Sequence, residues 1–385
     1  MSLPPKSNLS DLLSSKLATR GRGRGRGLGP NRGDERTDED KDRIVQKTDE
    51  DASVSRMSAV GLGYLEDPFT RAFVKGQIPR RYPIINRGTY VRTTAIDTLV
   101  NRFLAQRPSE PKQIISLGAG SDTRFFRIIS KNQSIALTYH ELDFPTNTSL
   151  KIQCIQQSHG LLSIVQAKLK APSELSISPD GTTLTSPNYN ILPMDLRNLS
   201  QNQSSSHSNP LLSLSNFSTA VPTLILSECC LVYLSPQYAD SVLHTLAKEL
   251  FPSSTALGFI LYEPIRPNDA FGRVMISNLA TRGIHLQTLK KYSSLTRQRQ
   301  RLLISGFESG QGASDVDFIW NNWIDEAEKE RIANLEMFDE IEEWRMLGKH
   351  YCVAWGWRDG ADNQPIFTPA WYEVISQDEI EDDIG

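Results

Sequence analysis

The chain has 385 residues, a formal net charge of −3, 23% charged residues and 38% hydrophobic ones. That length can bury a large core in one big domain or two modest ones, and the near-neutral charge gives no overall pull toward nucleic acid or a membrane surface. No apolar run approaches the roughly 20 residues of a membrane span, and the four cysteines (Cys154, Cys229, Cys230, Cys352) have neither zinc spacing nor a disulfide framework, which fits a cytosolic or nuclear compartment.

Residues 1–48 read as a disordered tail. Arg20–Gly27 is an Arg-Gly repeat followed by the mixed-charge run Asp34–Arg43, with few apolar residues to offset ordering entropy. Such a repeat is either a weak RNA contact or arginine-methylation site, or a plain solvated tail, and the second reading is the simpler. No signal-peptide core stands at the start, because Leu12, Leu13 and Leu17 are broken up by Ser14, Ser15 and Lys16.

Residues 49–104 read as a helical cap. A helix starts near Asp51, Gly63–Phe69 has the turn residues and aromatics of a lid, Tyr82–Gly88 is a loop, and Thr89–Leu104 is an amphipathic helix carrying Arg92 near its start. A core then spans 105–360. Its first strand, through Ile114, Ile115 and Leu117, runs into Gly118-Ala119-Gly120 and an Arg/Phe-rich helix, a turn at which backbone N–H groups face outward. Thr123 stands where a dinucleotide fingerprint has its third glycine, which favours a nucleotide-like ligand without a pyrophosphate.

Ala136–Asp143 is a second strand, whose terminal carboxylate is placed to accept ribose hydroxyls. Residues 171–187 form a polar insertion with a turn at Pro179-Asp180-Gly181. Tyr189–Met194 is a third strand closed by Asp195-Leu196-Arg197, and 200–218 is a second, Ser/Asn-rich insertion. Val221–Ser227 is apolar throughout, as in a strand buried on both faces, and ends in Glu228. Ser235 caps a helix with Pro236 at its first position, and Leu257–Tyr262 is a fifth strand. Phe271–Arg282 and Lys290–Leu303 read as helices. A sixth strand over Phe307–Val316 is interrupted by Gly310-Gln311-Gly312, Trp320–Leu347 forms one or two acidic helices, and His350–Trp357 is a last strand before the tail 361–385. The six histidines lack metal or nucleophile spacing.

The Gly118 turn, Asp143, Asp195 and Glu228 thus all follow strands in one α/β series, where open parallel sheets bind ligands. An adenosine fits, with ribose on Asp143, adenine near Asp195 and Leu196, and the cationic end of the ligand toward Glu228. If the group transferred is a sulfonium methyl and the acceptor a carboxylate, as the family resemblance given below implies, no general base is needed, because the acceptor is already ionised at pH 7. The site then requires cations to hold carboxylates, with Arg92 chosen first and Arg56 in support, and Tyr233 as a wall or hydrogen-bond donor beside the methyl. No residue is assigned as catalytic acid or base.

L-G-A-G-S-D-T-R-F (117–125), E-L-D-F-P (141–145), D-L-R (195–197) and L-S-E-C-C-L-V-Y-L (226–234) together resemble the leucine carboxyl methyltransferases. A-V-G-L-G-Y-L-E-D-P-F (59–69), I-N-R-G-T-Y-V-R (85–92) and H-Y-C-V-A-W (350–355) resemble the same family's cap and closing strand. The resemblance implies a class I S-adenosylmethionine-dependent methyltransferase fold, Rossmann-like, with a seven-stranded mostly parallel sheet and an added helical cap. It implies S-adenosyl-L-methionine as cofactor, bound by Arg56, Arg92, Gly118, Asp143, Asp195, Leu196 and Glu228. Arg56 departs from the lysine usual in the family. The implied substrate is the C-terminal leucine carboxylate of the type 2A protein phosphatase catalytic subunit, methylated by a monomeric enzyme. Alternatives are a small-molecule carboxyl methyltransferase or a non-catalytic binding adaptor. A tRNA-modifying relative would carry a repeat-containing extension beyond Gly385.

Overall fold

A computed structural model describes residues 37–199, 209–360 and 365–378. The Arg-Gly repeat and most of the second insertion lie outside those residues. The chain opens with α1 (Asp38–Gly61) and α2 (Pro83–Ala105). It continues through β1 (Lys112–Leu117), α3 (Arg124–Lys131), β2 (Leu137–Asp143), α4 (Pro145–Gln157) and α5 (His159–Gln166). A short hairpin, β3 (Ser176–Ile177) and β4 (Leu184–Thr185), precedes β5 (Tyr189–Pro193) and β6 (Thr223–Glu228). Then come α6 (Pro236–His244), β7 (Leu257–Pro264), α7 (Ala270–Thr281), α8 (Leu295–Ile304) and β8 (Gly310–Asp315). Three short helices, α9 (Val316–Asn322), α10 (Glu326–Ala333) and α11 (Ile341–Lys349), lead to β9 (Tyr351–Arg358) and α12 (Phe367–Trp371).

The strands form one sheet in the order β3-β4-β5-β2-β1-β6-β7-β9-β8. From β5 to β7 every pairing is parallel, and β9 runs antiparallel to both β7 and β8. Alternation along the pleat sends Ile114, Leu224 and Leu226 into one apolar layer and Ile115, Leu117 and Ile225 into the other. The first layer is closed by α2, α3, α4, α5 and α12, the second by α6 and α8. The order of the sheet reverses between β1 and β6, so their C-terminal tips border the crevice in which open sheets bind ligands.

The structure corrects several expectations. The sheet has nine strands rather than seven, because the first insertion pairs as a hairpin, antiparallel to β5 at the sheet edge. Order begins well before Asp49. Thr37 caps α1 by accepting from the Asp40 N–H, and Asp38, Glu39 and Asp40 favour the positive end of the helix dipole. From Asp38 on, the mixed-charge run taken as tail therefore forms the first turns of a helix, with ion pairs Lys41–Asp38 and Arg43–Asp40 at three-residue spacing. The loop expected at 82–88 is helix instead, since Pro83 occupies the first turn, where its missing N–H costs nothing.

Gly310 and Gly312 do not interrupt β8. A Cβ on either would stand 2.2 Å from the indoles of Trp357 and Trp355, so the glycines make room for two large rings across the strand pair. The segment Trp320–Leu347 holds the end of α9 and the two acidic helices α10 and α11, in line with the expected one or two. No described helix is long and apolar enough to cross a membrane.

Candidate active site

A cleft of about 910 Å³ opens at the C-terminal tips of β1, β2, β5 and β6. Arg56, Arg92, Gly118, Asp143, Asp195, Leu196, Glu228 and Tyr233 all line it. Residues scattered over 178 positions of sequence, from 56 to 233, are therefore neighbours around one volume.

The β1 turn forms the floor. Gly118 has φ +60°, and a Cβ there would lie 2.6 Å from the Cys230 Sγ. Only glycine meets both the left-handed backbone and that approach. The Gly120 N–H donates to the Asp143 Oδ2 at 2.7 Å, while Oδ1 accepts from the Phe144 N–H at 2.7 Å and the Asn147 amide at 3.1 Å. Burial pushes the Asp143 carboxyl up, against the pull of these donors. The carboxylate is thus fixed at the end of β2, beside the turn.

At the other end of the cleft lies a compact charge cluster. The Arg92 Nε donates to the Glu228 Oε2 at 2.9 Å, and its guanidinium sits 4.6 Å from the Tyr262 ring centroid. Glu228 Oε1 faces the Arg124 Nη2 at 2.8 Å. Burial would raise the Glu228 carboxyl, but Arg124 and Arg92 outweigh it and hold it below its ordinary value. Among the described residues Arg56 makes one loose ion pair, Nη1 to the Asp67 Oδ2 at 3.6 Å, and that buried nitrogen has no hydrogen-bond partner there. Burial and then Arg127 push its pKa down. An underused cation facing a cleft is suited to receive a carboxylate from a ligand. Burial raises the Tyr233 hydroxyl well above the usual range for tyrosine, so it remains a donor.

Three of the contacts around the cleft escape sequence reasoning. Asp49 accepts from the Ser121 N–H at 2.8 Å and from the Ser121 hydroxyl at 2.7 Å, laying α1 over the β1 turn. Asp195 is gripped by Arg197 through Nε at 2.9 Å to both oxygens, and Arg197 also reaches Asp42 of α1. Arg124, read only as part of an Arg/Phe-rich helix, is fully buried beneath Glu228. Nothing in the spacing marks Asp42 or Asp49, because their partners lie 155 and 72 positions away.

A parallel sheet that reverses beside β1, an antiparallel penultimate strand, a two-glycine turn and carboxylates at successive strand tips define a class I S-adenosylmethionine-dependent methyltransferase fold. Within that class, the chain belongs to the leucine carboxyl methyltransferase family. Residues 44–247 match the family described as leucine carboxyl methyltransferase. A relative from Aspergillus fumigatus named leucine carboxyl methyltransferase 1 is 52% identical, covering 88% of each chain. A second of that name, from Emericella nidulans, is 55% identical over 83% of this chain and 87% of its own. A protein of the same name from Bos taurus is 35% identical over 83% of this chain and 92% of its own.

Proposed function

We propose that this protein transfers the methyl group of S-adenosyl-L-methionine to the α-carboxylate of the C-terminal leucine of the type 2A protein phosphatase catalytic subunit. Membership in the leucine carboxyl methyltransferase family supports the leucine ester chemistry. The observation that carries the site assignment is the pairing of the Asp143 carboxylate at one end of the cleft with an underused Arg56 and a singly engaged Arg92 at the other. Those ends match the ribose and the methionine carboxylate of the cofactor.

When bound, the cofactor supplies a sulfonium methyl, which passes to a carboxylate oxygen as the carbon–sulfur bond breaks. The protein's part is to bind, align and exclude water. Asp143 accepts from the ribose hydroxyls, and Leu196 with Asp195 borders the adenine. Arg56 and Arg92 hold carboxylates, and Glu228 receives the ammonium. Tyr233 stays protonated and walls the transfer site. No side chain needs to remove a proton, because a terminal carboxylate is ionised at pH 7. The rate then depends on proximity and orientation, which are worth up to about 7–11 kcal/mol in well-aligned systems. The N-terminal helices through residue 104 act as the cap that admits the peptide end.

The test is incorporation of labelled methyl into the phosphatase catalytic subunit with its terminal leucine present or deleted. Labelling that requires the leucine and yields a base-labile ester is the expected result. Equal labelling of both forms would refute the substrate assignment.

A further inference from the structure

Arg124 lies below the cleft and uses its three guanidinium nitrogens on three different carboxylates. Nε donates to Asp97 at 2.9 Å, Nη1 to Asp122 at 2.6 Å, and Nη2 faces the Glu228 Oε1 at 2.8 Å. Its side chain is 1% exposed. The guanidinium is hydrogen-bonded through Nε and Nη1 and meets Glu228 through Nη2 as a close ion pair outside hydrogen-bond geometry, so the two hydrogen bonds hold the planar fork with its third corner against Glu228. Arg92 is the opposite case. Its side chain is 26% exposed, and among the described residues only its Nε is committed to a hydrogen bond. Glu228 therefore has one partner that is locked and one that can leave.

We propose that Arg124 is a positioning residue for the methyl donor: it pins Glu228 by one carboxylate oxygen, so that Arg92 can leave the other oxygen for the cofactor carboxylate while Glu228 stays ionised and in place to receive the ammonium. This inference rests on the assignment of the cleft to S-adenosylmethionine. The charge count supports it. Arg56, Arg92, Arg124 and Arg127 face Asp67, Asp97, Asp122 and Glu228, four cations against four anions in a buried cluster. Removal of Arg124 leaves three buried carboxylates short of one cation, and a buried carboxylate without its partner takes up a proton. Glu228 would then lose its charge, and with it the attraction for an ammonium.

The groups that face Glu228 are Arg92 from α2, Arg124 from α3, Asp122 from the turn before it, Arg56 from α1, and Tyr139 from β2. Near Arg92 stand Tyr262 and Cys229, with Tyr351 beyond them. Burial raises both tyrosine hydroxyls and pushes the Cys229 thiol up to about 11. None of these three titrates between pH 5.5 and 8 by those shifts; Glu141, which burial pushes up to about 7 and which senses Asp122, titrates there in the wild type as well, so the carboxylates left by Arg124 are read from the difference between the variant and wild-type profiles.

The experiment is calorimetric titration of the full-length protein with S-adenosylhomocysteine from pH 5.5 to 8. It compares wild type, Arg124→Met, Arg124→Lys and Arg127→Met. The wild-type affinity is expected to stay within about threefold across this range, because Glu228 remains charged. In Arg124→Met it should fall toward acid pH, approaching about tenfold per pH unit below the new midpoint. Arg124→Lys, which keeps the charge but reaches fewer carboxylates, should show a weaker form of the same dependence and serves if the methionine variant does not fold. Arg127→Met removes a partner of Asp97 and Asp67 but none of Glu228, so its melting temperature should drop while its pH profile stays flat. A flat profile in folded Arg124 variants overturns the positioning role. Wild-type protein that fails to bind S-adenosylhomocysteine overturns the cleft assignment itself, and this inference with it.

Discussion

Gly118→Ala should damage both the fold and donor binding, and the structure allows the two causes to be separated. The first cause is backbone: at φ +60° an L-residue costs roughly 1–2 kcal/mol. The second is steric: the new Cβ would stand 2.6 Å from the Cys230 Sγ and 3.0 Å from its Cβ. Overpacking of this kind typically costs roughly 1–3 kcal/mol. The sum is about 2–5 kcal/mol, which corresponds to a fall in Tm of roughly 2–6 °C in a protein of this size. Cys230→Ala in the same chain removes the sulfur and should return most of the steric part, leaving the backbone part untouched. Urea unfolding of the two single variants and the double variant measures the difference as a coupling energy of about 1–3 kcal/mol. Simple additivity within about 0.5 kcal/mol would refute the argument that the sulfur is what excludes a side chain at this turn.

Asp143→Asn keeps the shape of the side chain but removes its charge, and should weaken S-adenosylhomocysteine binding by about 10- to 100-fold, since hydrogen bonds to charged groups are worth roughly 1.5–3 kcal/mol. A dissociation constant within threefold of wild type would disprove the ribose assignment. His140, fully buried beside Asn190, has its pKa pushed down by burial to about 4. The unfolded chain takes up the proton near pH 6.5, so folding stability should decline as the pH falls from about 6.5 to about 4, by up to about 3 kcal/mol. His140→Gln should flatten that slope in pH-dependent unfolding curves.

The strand tips were legible because they depend on short-range patterns. An apolar run ending in glycine or a carboxylate places Gly118, Asp143, Asp195 and Glu228 at one edge of a parallel sheet with no knowledge of the rest. The helical cap was harder, since α1 is polar along most of its length and its order comes from contacts with distant residues rather than from an apolar stripe. Pro83 and the β8 glycines misled for a related reason. Both are breakers by composition, and both are made compatible by position: one in a first helical turn, the other facing Trp355 and Trp357. Arg124 could not be singled out at all, because an arginine in an amphipathic helix looks the same whether it meets solvent or three carboxylates.

Asp42, Asp49 and Arg56 are spaced by seven residues, two helical turns each, and so share one side of α1. Their partners are Arg197 by the Asp195 loop, Ser121 on the glycine turn, and Asp67 by the arginine cluster. At about 1.5 Å per residue the three contacts span about 21 Å, enough to run alongside an extended nucleoside with its amino-acid tail. The helix is in effect a graduated ruler laid along the cleft, with marks at Asp42, Asp49 and Arg56. Its register matters more than its composition. Deleting one residue between Asp49 and Arg56 would turn the marks on either side about 100° out of line, whereas exchanging its outward-facing charges would leave the scale intact.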